Sequence, residues 1–103
     1  MKQDQVKNYL KAHCAGRNRA IKSSELEGCL HVNGNELRKQ VNRLRREGVP
    51  IGSDRNGYFY AVTAGEVYST IRQLHIMEKG LQAAIRGLEQ ALDGFGLGGG
   101  DAP

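Results

Sequence analysis

Five basic side chains and no acidic one stand between Arg38 and Arg46, within the run NELRKQVNRLRREG that covers positions 35–48. Taking 100° per residue, Leu37, Val41 and Leu44 share one stripe, the i, i+4, i+7 pattern of a helix buried on one side. Asn35, Lys39, Asn42 and Arg46 fall opposite that stripe, with Arg38 and Arg43 on its flanks. Arg and Lys neutralise phosphates, while Asn reads adenine edges in the major groove. A helix face that is only solvated usually mixes both signs at i, i+4 spacing. The absence of acids here points instead to double-stranded DNA. Lys39, Arg43 and Arg46, helped by Arg38, are expected at phosphates, and Asn35, Asn42 and Lys39 at bases.

Other reactive side chains lack partners at motif spacing. His13, His31 and His75 have no carboxylate or cysteine placed for acid–base or nucleophilic work. Ser23 and Ser24 read as helix caps rather than nucleophiles. No glycine-rich loop follows a strand and opens a helix, and the C-terminal glycines carry no Lys-Ser/Thr. His13, Cys14, Cys29 and His31 match no familiar zinc spacing. Catalysis, a metal and a cofactor are therefore not expected. Cys14 beside Val6 and Leu10, and Cys29 beside Leu26 and Leu30, are expected as small buried hydrophobes in a reducing compartment.

The charge is divided unevenly. The chain of 103 residues carries a formal net charge of +4, with 39% hydrophobic and 25% charged residues. Residues 1–62 hold 12 Lys/Arg against 6 Asp/Glu, and residues 63–103 hold 3 against 5. A polyanion-binding half joined to a half with another task follows. No run approaches the roughly 18 apolar residues of a membrane helix. The polar N-terminus has no apolar signal core, so a cytoplasmic protein without membrane contact is expected.

Three segments emerge. Residues 1–62 form one compact domain. A first helix spans Gln3 to Cys14, a short strand Arg19 to Ile21, and a second helix capped by Ser23 or Ser24 buries Leu26, Cys29 and Leu30. After the turn His31-Val32-Asn33-Gly34, Asn33 caps the basic helix and Gly48 ends it. Val49–Ile51 and Tyr58–Val62 then read as a hairpin around the turn 53–57, with Pro50 at its edge and Arg55 near its tip.

Residues 63–93 form a long helix opened by the capping box Thr63-Ala64-Gly65-Glu66. Val67, Ile71, Leu74, Leu81, Ile85, Leu88 and Leu92 recur at near-heptad spacing, broken where Glu78 takes a core site. About 28 residues make a rod of roughly 42 Å, too long for a small domain to cover. Gly80, Ala84, Gly87 and Ala91 line an adjoining stripe. A homodimer through this helix is expected. Residues 94–103 read as a flexible glycine-rich tail.

The segments I-K-S-S-E-L (21–26), V-N-G-N-E-L-R (32–38), R-L-R-R-E-G-V-P-I (43–51) and N-G-Y-F (56–59) together resemble the biotin-repressor-type and deoR-like winged helices of bacterial regulators. The resemblance covers residues 3–62. It implies an α+β, mostly helical fold: a winged helix-turn-helix followed by a long C-terminal dimerisation helix. It also implies a recognition helix at 34–47 in the major groove and a wing at 52–57, where Arg55 would enter the neighbouring groove. Gly34 stands where such families often carry Ser or Arg. No ligand-binding domain follows, so no small-molecule effector is expected. Small winged helices with a dimerising helix also resemble phage and plasmid regulators. A dimeric transcriptional regulator is the leading expectation. Phage-type replication or DNA-packaging site recognition uses the same contacts, and a winged-helix protein-interaction module is the reading from a different class.

Overall fold

In the computed structural model, which describes the backbone of residues 2–95 and the side chains of 5–95, the protein is α+β and mostly helical. Helices α1 (Lys2–His13), α2 (Ser23–Leu30), α3 (Gly34–Arg46) and α4 (Ala64–Asp93) accompany one antiparallel hairpin, β1 (Ile51–Asp54) and β2 (Gly57–Tyr60). A 3-10 turn at Arg17–Arg19 lies between α1 and α2. The chain divides into two compact units, Met1–Ile71 and Arg72–Pro103.

Within the first unit, the periodic apolar residues of three helices converge on one core. Val6, Leu10 and Cys14 from α1 and its end, Leu26 from α2, and Leu37, Val41 and Leu44 from α3 are buried together with Ile51. Phe59 is also fully buried. Val32 packs against this core from the α2–α3 turn. Burying side chains of this size stabilises by about 1.5–3 kcal/mol each, so the core supplies most of the driving force for folding.

The hairpin has register Ile51↔Tyr60, Gly52↔Phe59, Ser53↔Tyr58 and Asp54↔Gly57. Its turn is therefore only Arg55-Asn56, shorter than the expected 53–57, and β1 begins after Pro50 rather than at Val49. The Asp54 side chain accepts from the Asn56 amide at 2.8 Å, and this local bond tightens the turn. Beyond β2, Ile21 and Tyr58 exchange two backbone hydrogen bonds, each 2.9 Å. Arg19-Ala20 form no strand. That expected strand reduces to an Ile21 bridge, because the chain before it is wound into the 3-10 turn.

Two caps behave as expected and one does not. Asn33 Oδ1 accepts from the Glu36 amide at 2.8 Å and opens α3. Thr63 Oγ1 accepts from the Glu66 amide at 3.2 Å, while the Glu66 carboxylate returns to the Val62 amide at 2.8 Å. At α2, however, the N-cap is Lys22, with no side-chain cap bond. Ser23 is already helical, and its hydroxyl donates to Glu27 at 3.0 Å. The Ile21 bridge fixes the entry of α2, so the helix starts one residue before a serine could cap it.

Cys29 is a second correction. It is exposed, whereas Cys14 is buried. In a two-turn helix only Leu26 lies at the centre of the buried stripe. Cys29 sits at the stripe's edge, where its sulfur meets the Tyr9 hydroxyl at 3.6 Å.

The first turns of α4 are fastened within the first unit. Thr70 is buried and its hydroxyl accepts from the Ser53 amide at 3.2 Å. Val67 is half-buried, and every position from Ile71 to Phe95 is exposed. Gly94 and Phe95 close the helix with hydrogen bonds to the Ala91 and Leu92 carbonyls, each 3.0 Å. The flexible tail expected over 94–103 therefore does not begin at Gly94, and its remainder, 96–103, lies outside the described residues. Among the described residues no helix is long and apolar enough to cross a membrane.

Candidate nucleic-acid interface

Helix α3 owes its two faces to the sequence spacing. Leu37, Val41 and Leu44 are buried against the core, together with Gln40. Asn35, Arg38, Lys39, Asn42 and Arg46 are all exposed on the other side. The asymmetry is electrostatic as well as apolar. The first turn carries Glu36 and the last turn Arg43, Arg45 and Arg46, an order that suits the helix dipole.

The cationic side chains of α3 are not equivalent. The Arg38 guanidinium donates to Asn35 Oδ1 one turn back, so those two side chains are presented as a unit. Arg43 is half-buried: its Nε pairs with Glu47 at 3.9 Å in a long i, i+4 contact, and its Nη2 is buried without a partner among the described residues. Lys39, Asn42 and Arg46 make no side-chain hydrogen bond among the described residues and remain open to an external acceptor. Of the seven residues expected to meet DNA, six therefore lie along α3 and Arg55 lies apart on the hairpin turn.

Arg45, the one cation of the basic run given no DNA contact, has a structural task. Its Nε donates to the Ile51 carbonyl at 2.9 Å and its Nη2 to Ser53 Oγ at 3.1 Å. Burial lowers its pKa from the ordinary arginine value, with Tyr58 opposing. Arg45 joins the C-terminal turn of the basic helix to β1.

The hairpin tip is anchored too. Lys22 Nζ donates to the Arg55 carbonyl at 3.0 Å, and Arg17 pairs with Asp54 at 3.6 Å. These contacts hold the backbone of residues 54–55 while leaving the Arg55 side chain exposed. Arg17 is further tied to the start of α4, since its amide donates to Glu66 at 3.0 Å. Sequence reasoning did not single out Lys22 and Arg17. Neither lies in a periodic run, and both act through bonds between segments more than thirty residues apart.

Among the described residues there is no group of three or more His, Cys, Asp or Glu able to hold a metal ion. What the surface offers is a row of hydrogen-bond donors and cations along one helix, with one further cation, Arg55, on a braced turn. Compared with family models, curated proteins and solved structures, the chain matches none.

Proposed function

We propose that this chain is a sequence-specific double-stranded DNA-binding protein of the winged helix-turn-helix type, with α3 as the recognition helix and the β1–β2 turn as the wing. The observation that carries the reading is the exposed row Asn35, Arg38, Lys39, Asn42 and Arg46 on a helix whose opposite face is buried. A rod about 20 Å long that offers cations and amides on one side suits the major groove. The order α1, Ile21 bridge, α2, tight turn, α3 and hairpin supports the resemblance to biotin-repressor-type and deoR-like regulators, and with it a use in transcription regulation.

Roles divide by chemistry. Lys39 and Arg46, with Arg38 and Arg43, neutralise phosphates and set register. Asn42 and Asn35 read bases, and Arg38, bonded to Asn35 Oδ1, holds that amide beside the phosphate it meets. Arg55 reaches the groove beside the recognition helix. Arg45 keeps the two reading elements at a fixed spacing, and Lys22 holds the wing tip to the start of α2.

Selection of bound duplexes from a random pool tests this reading. One recurrent sequence is expected, and its advantage over scrambled duplexes should shrink in Asn42→Ala or Asn35→Ala. No enrichment after repeated rounds would overturn sequence-specific recognition.

A further inference from the structure

Helix α4 carries a seam with a seven-residue repeat. Ile71, Leu74, Leu81, Ile85, Leu88 and Leu92 expose between 39% and 70% of their surfaces, and Phe95, at 76%, extends the same repeat by three residues. The seam from 71 to 95 covers about three and a half heptads and roughly 37 Å, the length from which a coiled coil becomes specific. Charges keep off it with the same period: Arg72, Lys79 and Arg86 recur every seven residues, on a line beside the seam. Glu78 is the exception. It occupies the seam site midway between Leu74 and Leu81, where its carboxylate meets His75 Nδ1 at 3.3 Å.

The surface relief fits this repeat. An apolar depression of about 360 Å³ is lined by Ile85, Leu88, Glu89, Ala91, Leu92 and Phe95. Those six residues form two overlapping four-residue holes, 85/88/89/92 and 88/91/92/95. Each has the i, i+3, i+4, i+7 outline that receives one side chain from a facing helix. A partner fills successive holes only if its own apolar side chains alternate at spacings of three and four. This chain supplies such side chains itself, and Ala84 and Ala91 on the flank leave room for a close approach.

We infer that α4, with the turn that closes it, pairs with the same segment of a second copy of this chain along residues 71–95, and that Glu78 limits the strength of the pairing. Packing by knobs into holes covers the exposed leucines and isoleucines. It also brings the Glu78 carboxylate into an apolar seam, where an acid without a full set of partners opposes association. The pair is thus self-recognising but held below the affinity its seven apolar residues would otherwise give. This inference rests on α4 alone and stands apart from the DNA-binding reading.

Sedimentation equilibrium of the full chain without DNA, across the micromolar range, tests it. A reversible monomer–dimer equilibrium is expected for the native chain. Glu78→Leu should tighten it by about tenfold or more. Ile85→Asp should shift it to monomer, while Arg86→Glu, one residue away but off the seam, should leave it unchanged. Far-UV circular dichroism of the first unit's thermal transition shows whether Ile85→Asp still folds. A monomer for both the native chain and Glu78→Leu would overturn the inference, as would weaker association in Glu78→Leu.

Discussion

Arg45 and Ser53 are joined side chain to side chain at 3.1 Å, and the same guanidinium reaches the Ile51 carbonyl at 2.9 Å. The last turn of the basic helix is thereby fastened to the first strand of the hairpin. Arg45 and Arg46 are neighbours in sequence with opposite duties, one holding the fold together and the other facing outward.

Arg45→Ala should destabilise the first unit by about 2–3 kcal/mol, since hydrogen bonds to a charged group are lost and the Ile51 carbonyl loses its donor. Arg46→Ala should change stability by no more than about 0.5 kcal/mol. Urea denaturation of both variants measures the contrast. Equal stabilities would show that the Arg45 contacts contribute nothing.

Gly57 follows the hairpin turn at φ 123, and a Cβ there would lie 1.9 Å from the Ile21 carbonyl oxygen. Gly57→Ala must therefore break the Ile21–Tyr58 bridge as well as strain the backbone. A loss of at least about 2 kcal/mol is expected in thermal or urea unfolding. An unperturbed midpoint would mean the bridge is dispensable.

Much of this arrangement was legible in the residues, and the exceptions have physical causes. The Leu37/Val41/Leu44 stripe, the Asn33 cap and the Thr63–Glu66 box are local signals, carried by spacings of three and four. Asn56-Gly57 marked the hairpin, although only Gly57 takes a positive φ. What local spacing cannot carry is the choice made at the edge of a stripe. Arg45 and Gln40 both border the apolar stripe of α3. Their polar character said nothing about burial, which the hairpin and core decide. Cys29 shows the converse, an apolar-looking position left exposed because α2 is only eight residues long. The solvent face of α3 was the most legible part of the candidate site, because an exposed face needs no tertiary information. The bracing of the hairpin by Lys22 and Arg17 was not legible.

Acid should weaken the junction between Arg17, Val62 and α4. The Glu66 carboxylate is held below its ordinary pKa chiefly by the Arg17 amide and then by the Val62 amide, with burial opposing. A carboxylate whose folded-state pKa is lowered contributes stability above its unfolded pKa, near 4.3. That contribution disappears as pH falls through the folded value. Urea midpoints measured from pH 7 downward should drop less steeply in Glu66→Gln, which should also be the less stable protein at pH 7. Parallel profiles for the two proteins would contradict the role given to Glu66.

The two thiols should react at very different rates. Cys14 is buried and its pKa is raised, mainly by that burial, whereas Cys29 is exposed. A thiol-alkylating reagent followed by mass spectrometry should modify one site in the native protein and two in denaturant. Rapid double modification under native conditions would place Cys14 outside the core.

The most direct measurement of the central claim is duplex affinity as a function of salt for the native chain, Lys39→Ala and Arg46→Ala. If the solvent face of α3 meets DNA, the logarithm of the association constant falls linearly with the logarithm of salt. Each substitution should then lower that slope by about one while leaving the unfolding midpoint in place. An affinity that ignores salt, or that is unchanged in both variants, would contradict the assignment of α3 as a DNA-reading helix.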